Sequence, residues 1–209
     1  MKRTVFAALG VLALGVPAQA KEGMFTPDQL PEIAKDLKAT GLELDPTTLT
    51  DLTAFPMGAV ISLGGCTASF VSPEGLVVSN HHCIRGSVQF NSTEDKNYLK
   101  DGFLAATKAD ELQAAPGTRV YVTTEVTDVT DKVTDGLSAD LSGAERYAAI
   151  DAKRKALIAA CEKEDGYRCQ VSAFFGGLQY KLIKSLEIRD VRLVYAPGDN
   201  VGKYGGDID

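Results

Sequence analysis

The chain has 209 residues, 44 % of them hydrophobic and 24 % charged, the proportions of an ordinary globular protein. Its 28 acidic residues outnumber 22 basic ones, a balance that argues against nucleic acid or an anionic membrane surface as the partner.

The first segment is not part of the fold. Lys2 and Arg3 form a basic start, residues 5–16 are apolar, and Ala18-Gln19-Ala20 is a small-x-small cleavage site. This is the pattern of a secretory signal peptide cut after Ala20. A membrane anchor is the competing reading, but the apolar stretch is too short to cross a bilayer, and no later run approaches that length. The chain is therefore expected in the periplasm or outside the cell. The leader carries two basic and no acidic residues, so the 189 residues beyond it bear a net charge of −8. They suffice for one sizeable core or one and a half small barrels.

In chain order, Thr26-Pro27-Asp28-Gln29 reads as a helix start with Thr26 as its cap. Leu30, Ile33, Ala34 and Leu37 share a face and Gly41 stops the element, while Pro31 favours a later start. A polar connector comes next, over 42–55. Strands are expected over 59–63, 68–71 and 76–79, with the pair Gly64-Gly65 and the turn Ser72-Pro73-Glu74-Gly75 between them. Residues 89–107 read as a polar loop and then a helical turn around Tyr98–Phe103. Within it, Asn91-Ser92-Thr93 matches a glycosylation acceptor and is read as ordinary loop. Residues 119–126 alternate, with Val120, Val122 and Val126 at even spacing.

Ser142-Gly143-Ala144-Glu145 is a capping box for the best helix in the chain, in which Tyr147, Ile150, Leu157, Ile158 and Cys161 share a face. Gly166 ends it. Strands resume over 170–175, turn at Gly176-Gly177, and continue over 178–183 and 186–195. The fold class is mainly β, a barrel with a helical insertion. Its expected stretches are the leader 1–20, an N-terminal helix and connector 21–57, the first part of the barrel 58–137, the insertion 138–166, and a return to the barrel over 167–209.

Chemistry concentrates in Ser79-Asn80-His81-His82-Cys83. The chain has two histidines, and both are here. A general base must hold one rotamer and one tautomer while it takes and returns a proton. A disulfide beside the ring helps it do so, and an exported chain permits disulfides. The four cysteines allow three pairings. Cys66 with Cys83 and Cys161 with Cys169 are preferred because both are local, and the crossed pairings remain open. Cys66–Cys83 would join two arms of a hairpin whose last strand delivers His82. A zinc site is the competing use, but His81, His82 and Cys83 on an extended strand would face opposite sides. From the residues alone, His82 is as readily a packed or surface histidine as a base.

Five motifs in order give the chain a resemblance. Gly64-Gly65-Cys66-Thr67, Val71-Ser72-Pro73-Glu74-Gly75-Leu76 and Asn80-His81-His82-Cys83 resemble the bacterial serine dipeptidyl peptidases of the dipeptidyl-peptidase VII and XI group. So do Tyr98-Leu99-Lys100-Asp101-Gly102-Phe103 with Val194-Tyr195-Ala196-Pro197, and Gly205-Gly206-Asp207-Ile208-Asp209. The resemblance implies a chymotrypsin-like double β-barrel with added helices. It also implies release of dipeptides from peptide N-termini, no cofactor, no metal, and peptides held by a free N-terminus as partners.

On this pattern His82, which touches the cysteine, is the catalytic base, and His81 is structural. Asp207 and Asp209 match positions near the substrate amine, against the plainer reading of a Gly/Asp turn. Asp128 and Asp131 are read as strand-end or turn residues. Ser172 and Ser185 lie on expected strands without the exposed turn that a nucleophile and its oxyanion donors need. The resemblance places the triad aspartate and serine beyond Asp209. The chain is thus expected to be the N-terminal part of a longer enzyme, inert by itself. A non-enzymatic binding module on a trypsin-like barrel, or a chain completed by a second polypeptide, are the alternatives.

Overall fold

A computed structural model describes residues 25–203. The leader and the Gly205–Asp209 motif, with Asp207 and Asp209, lie outside the described residues. Among the described residues, no helix is long and apolar enough to cross a membrane.

Thr26 begins the described fold as expected, its backbone N–H donating to Gln29 Oε1 at 3.0 Å. The helix it caps is not α at first. Pro31 has no N–H to give to an i→i−4 bond, so Pro27–Ile33 winds as a 3-10 turn and α1 is confined to Ala34–Ala39. Lys181 anchors this segment by donating to Asp28 at 2.8 Å. That bond holds the Asp28 carboxyl below its ordinary value although partial burial opposes it.

The chain then builds a three-strand meander, β1 (Val60–Ser62), β2 (Thr67–Phe70) and β3 (Val77–Val78), all antiparallel. Ser72 makes the second turn, its Oγ accepting from the N–H groups of Glu74 and Leu76. Helix α2 (His81–Asn91) comes next, then α3 (Tyr98–Asp101) and the short strands β4 (Phe103–Leu104) and β5 (Leu112–Gln113). Long β6 (Val120–Asp128) leads into helices α4 (Thr130–Thr134) and α5 (Gly143–Cys161). The chain returns through β7 (Tyr167–Phe174), β8 (Gln179–Ile188), β9 (Arg192–Leu193), β10 (Tyr195–Ala196) and α6 (Asp199–Gly202).

The strands form one six-stranded sheet, ordered β3-β2-β1-β6-β8-β7, and two ribbons, β10-β4 and β5-β9. The protein is mainly β with helices, and α4 and α5 interrupt the sheet between β6 and β7. Strand β8 runs unbroken where the sequence predicts two strands, because it pairs along its length with both β6 and β7. The even spacing of Val120, Val122 and Val126 misleads. A bulge between Thr123 and Glu125 inserts one residue and reverses the facing of the rest of the strand. Val120 is buried and Val126 exposed.

Three apolar clusters hold the layers. Ile61, Ala68 and Val120 fill the meander side, and Val88 of α2 packs on Leu193 and Ala196. Val129, Val133, Val171 and Tyr180 take the α4–α5 side, where Ile150, Leu157 and Ile158 of α5 pack. Helix α5 starts on its capping box, with Ser142 and Glu145 bonded reciprocally. One residue departs from the expected face, since Tyr147 is 68 % exposed. Arg154 takes the place between Ile150 and Leu157, its guanidinium donating to the Val171 carbonyl at 2.7 Å.

Val171 is fully buried between α5 and β8. Val171→Ala should therefore cost about 2 kcal/mol in urea unfolding. Leu178→Ala, at a residue 81 % exposed, should stay within about 0.5 kcal/mol.

Candidate active site

The histidines do not close a strand. Strand β3 stops at Val78, Ser79 ties its end to the Thr67 carbonyl at 2.9 Å, and His81 and His82 open α2. Asn80 stands at the helix cap in extended backbone, and the Cys83 N–H returns to its carbonyl at 3.2 Å. The signal is present in the sequence: Asn80 is a favoured cap residue, and Ile84 and Val88 recur four apart. The same pattern shows that the expected loop from residue 89 begins only after Asn91.

The two rings separate as a helix requires, about a quarter-turn apart, rather than across a strand. His81 turns inward, its side chain 8 % exposed, while His82 is exposed.

Cys66 and Cys83 are bonded, with Sγ–Sγ 2.06 Å and Cα atoms 6.1 Å apart. The bridge joins the Gly64-Gly65 turn to the first turn of α2, not two arms of a hairpin. Cys161, the last residue of α5, is bonded to Cys169 of β7. One ring nitrogen of His82 and the sulfurs of Cys66 and Cys83 lie within 4.8 Å of one another. Both sulfurs are committed to the disulfide and neither offers a thiolate, so this grouping is an imidazole set against a covalent staple rather than a metal centre.

The far part of α2 is equally well held. Val88 is fully buried, Ser87 Oγ accepts from the Ala115 N–H at 3.0 Å, and Asn91 Nδ2 donates to the Ser87 and Gln113 carbonyls. The acceptor-like Asn91 is thus a helix-end residue with its amide engaged. An exposed imidazole on a helix fixed at both ends can accept and return a proton without a change of backbone.

The remaining candidates are engaged elsewhere. Asp128 ends β6 and takes the Thr130 N–H on Oδ1 and Gln179 Nε2 on Oδ2. The Thr130 side chain and backbone and Gln179 hold its carboxyl below the usual range. Asp131 lies in the first turn of α4. Ser172 and Ser185 are sheet residues of β7 and β8, paired with Lys181 and with Thr123 and Arg168.

Reasoning from sequence missed Arg85 and Asp199. Arg85 Nη2 donates to Asp199 Oδ2 at 3.0 Å, and His81 Nε2 stands 3.6 Å from Oδ1. Arg85 could be found, since it lies four residues from His81 on one helix. Asp199 gives no local signal because 114 positions separate it from Arg85. Partial burial pushes the Asp199 carboxyl up. The Arg85 bond, the Arg85 charge and Lys203 together outweigh burial and hold it below its ordinary value.

Comparison with known proteins gives this geometry a family. Residues 20–209 match the Peptidase S46 family. The chain is 52 % identical over 207 residues to the Asp/Glu-specific dipeptidyl-peptidase of Shewanella putrefaciens, covering 99 % of this chain and 28 % of that protein. It is 36 % identical to dipeptidyl-peptidase 7 of Porphyromonas gingivalis, covering 97 % and 29 %. The crystal structure of Porphyromonas endodontalis DPP11 in complex with the dipeptide Arg-Glu superposes with a TM-score of 0.74 at 32 % identity, covering 89 % of this chain and 28 % of that one. The chain belongs to the peptidase S46 family. It spans about 28 % of the length of the relatives it matches.

Two outcomes are expected of this site. Removing the Cys66–Cys83 bond in a Cys66→Ala, Cys83→Ala double variant should lower stability by about 2–4 kcal/mol, read by urea unfolding against the parent. Asp199, held below its unfolded value, should stabilise the fold fully above the ordinary aspartate range, and that stability should vanish as pH falls through the folded value. Thermal melts between pH 6 and about pH 2.5 should fall more steeply for the parent than for Asp199→Asn.

Proposed function

We propose that the chain supplies the general base, His82, of an exported serine dipeptidyl peptidase that releases dipeptides from the free N-termini of peptides. The observation that carries this reading is the exposed His82 ring in the first turn of α2, one residue before a cysteine bonded to Cys66. The six-stranded sheet and its ribbons belong, on this reading, to the first barrel of a chymotrypsin-like double barrel, with α4 and α5 inserted. The Asp/Glu specificity of the Shewanella relative favours an acidic second residue in the released dipeptide.

His82 takes the proton of the attacking serine hydroxyl as the acyl bond forms, then gives it to the amine that leaves. A carboxylate must face the other ring nitrogen to hold the tautomer. On this reading both the serine and that carboxylate come from chain beyond residues 1–209. The signal peptide carries the protein across the inner membrane, where the two disulfides form.

The test is turnover of dipeptidyl arylamides, with acidic or apolar second residues, by the full-length protein. Acidic substrates should be preferred. His82→Ala should lose on the order of 10⁴ to 10⁶ in rate, because members of a triad act as a unit, with its thermal melt nearly unchanged. Full activity in His82→Ala would remove His82 from the chemistry. Failure of the parent on every dipeptidyl substrate would favour a binding module.

A further inference from the structure

The proton transfer assigned to His82 leaves its neighbour unused, yet His81 sits against the Asp199 carboxylate that Arg85 and Lys203 also address. Its two ring nitrogens, Arg85 Nε and Asp199 Oδ1 are buried without a hydrogen-bond partner among the described residues. Buried polar atoms in this condition are costly and ask for an explanation.

Geometry supplies one. His81 and Arg85 lie one turn apart on α2 and both address Asp199 at the start of α6, with Lys203 Nζ 3.4 Å from the same carboxylate. Helix α6 packs closely on both neighbours. A Cβ on Gly202 would clash with the His81 ring, and one on Gly198 would strike the Lys100 carbonyl at the end of α3. The turn is therefore pressed between α2 and α3. A shift of about half an ångström would bring His81 Nε2 within hydrogen-bond length of Asp199.

We propose that His81, Arg85 and Asp199 form a latch that fixes the first turn of α2 against α6, with Asp199 a positioning residue for the His82 ring. The latch rests on the reading of His82 as general base. It also joins the helix that bears the base to α6 through one carboxylate.

The test uses the full-length protein with Asp199→Asn, Arg85→Met, their double variant and Asp199→Glu. Diethyl pyrocarbonate labelling, mapped by mass spectrometry, reports each histidine separately. His81 should be protected in the parent and label about tenfold faster in Asp199→Asn, with His82 labelled in both. For turnover, kcat should fall about tenfold while KM stays within about threefold, the double variant should be no worse than the worse single one, and Asp199→Glu should recover part of the loss. Should Asp199→Asn not accumulate folded, Arg85→Met, at a side chain one-third exposed, carries both readouts.

Protection of His81 in every variant would overturn the latch. So would an unchanged kcat in a variant whose His81 has opened. A parent that releases no dipeptide sinks the peptidase reading instead, and labelling alone then decides whether the latch exists.

Discussion

The Cys66–Cys83 bond is short, covalent and placed where the chain changes from sheet to helix. It ties the glycine turn after β1 to the first turn of α2 across 17 positions, so the meander and the helix cannot slide past one another. What the bond does at one end of α2, packing and hydrogen bonding do at the other. Val88 is buried over Leu193 and Ala196, and Ser87 and Asn91 bond to the backbone of the β5 region. A helix held at both ends presents its first-turn side chains at fixed angles, which is what an imidazole needs if it is to exchange protons in one geometry.

The rest of the fold divides around that helix. On one side the meander and β6 enclose Ile61, Ala68 and Val120, with Leu63, at the start of the glycine turn, packed against them. On the other, α4 and α5 cover β7 and β8 around Val129, Val133 and Val171, with a second disulfide fastening the end of α5 to β7. The long ladders of β6 with β8 and β8 with β7 join the two halves. Changes in the α5 half should therefore register in stability well before they disturb the histidines.

The charges near the helix are already matched to one another. The carboxylate beside His81 belongs to Asp199, and it is balanced by Arg85 and Lys203. Asp128 is likewise occupied by Thr130 and Gln179.

Much of this is legible in the sequence, because it depends on neighbours along the chain. Capping boxes at Thr26 and Ser142 and the Gly176-Gly177 turn are encoded within a few residues, the two disulfide pairs within 17 positions or fewer, and all appear where the sequence puts them. The errors share a cause. The start of α2 reads as a strand end because Leu76-Val77-Val78 favours a strand, while Asn80 as cap and Ile84 with Val88 on one face outweigh it only once Leu193 and Ala196 arrive beneath them. The bulge at Thr124 depends on how β8 pairs, and the exposure of Tyr147 on where α5 lands. Sequence alone determined that a histidine–cysteine pair sits after a glycine turn in a mainly β chain. Tertiary structure alone decided which ring is buried, and brought Asp199 to His81 across more than a hundred residues, because such a contact is made by the packing of α6 against α2 and leaves no periodic trace in either segment.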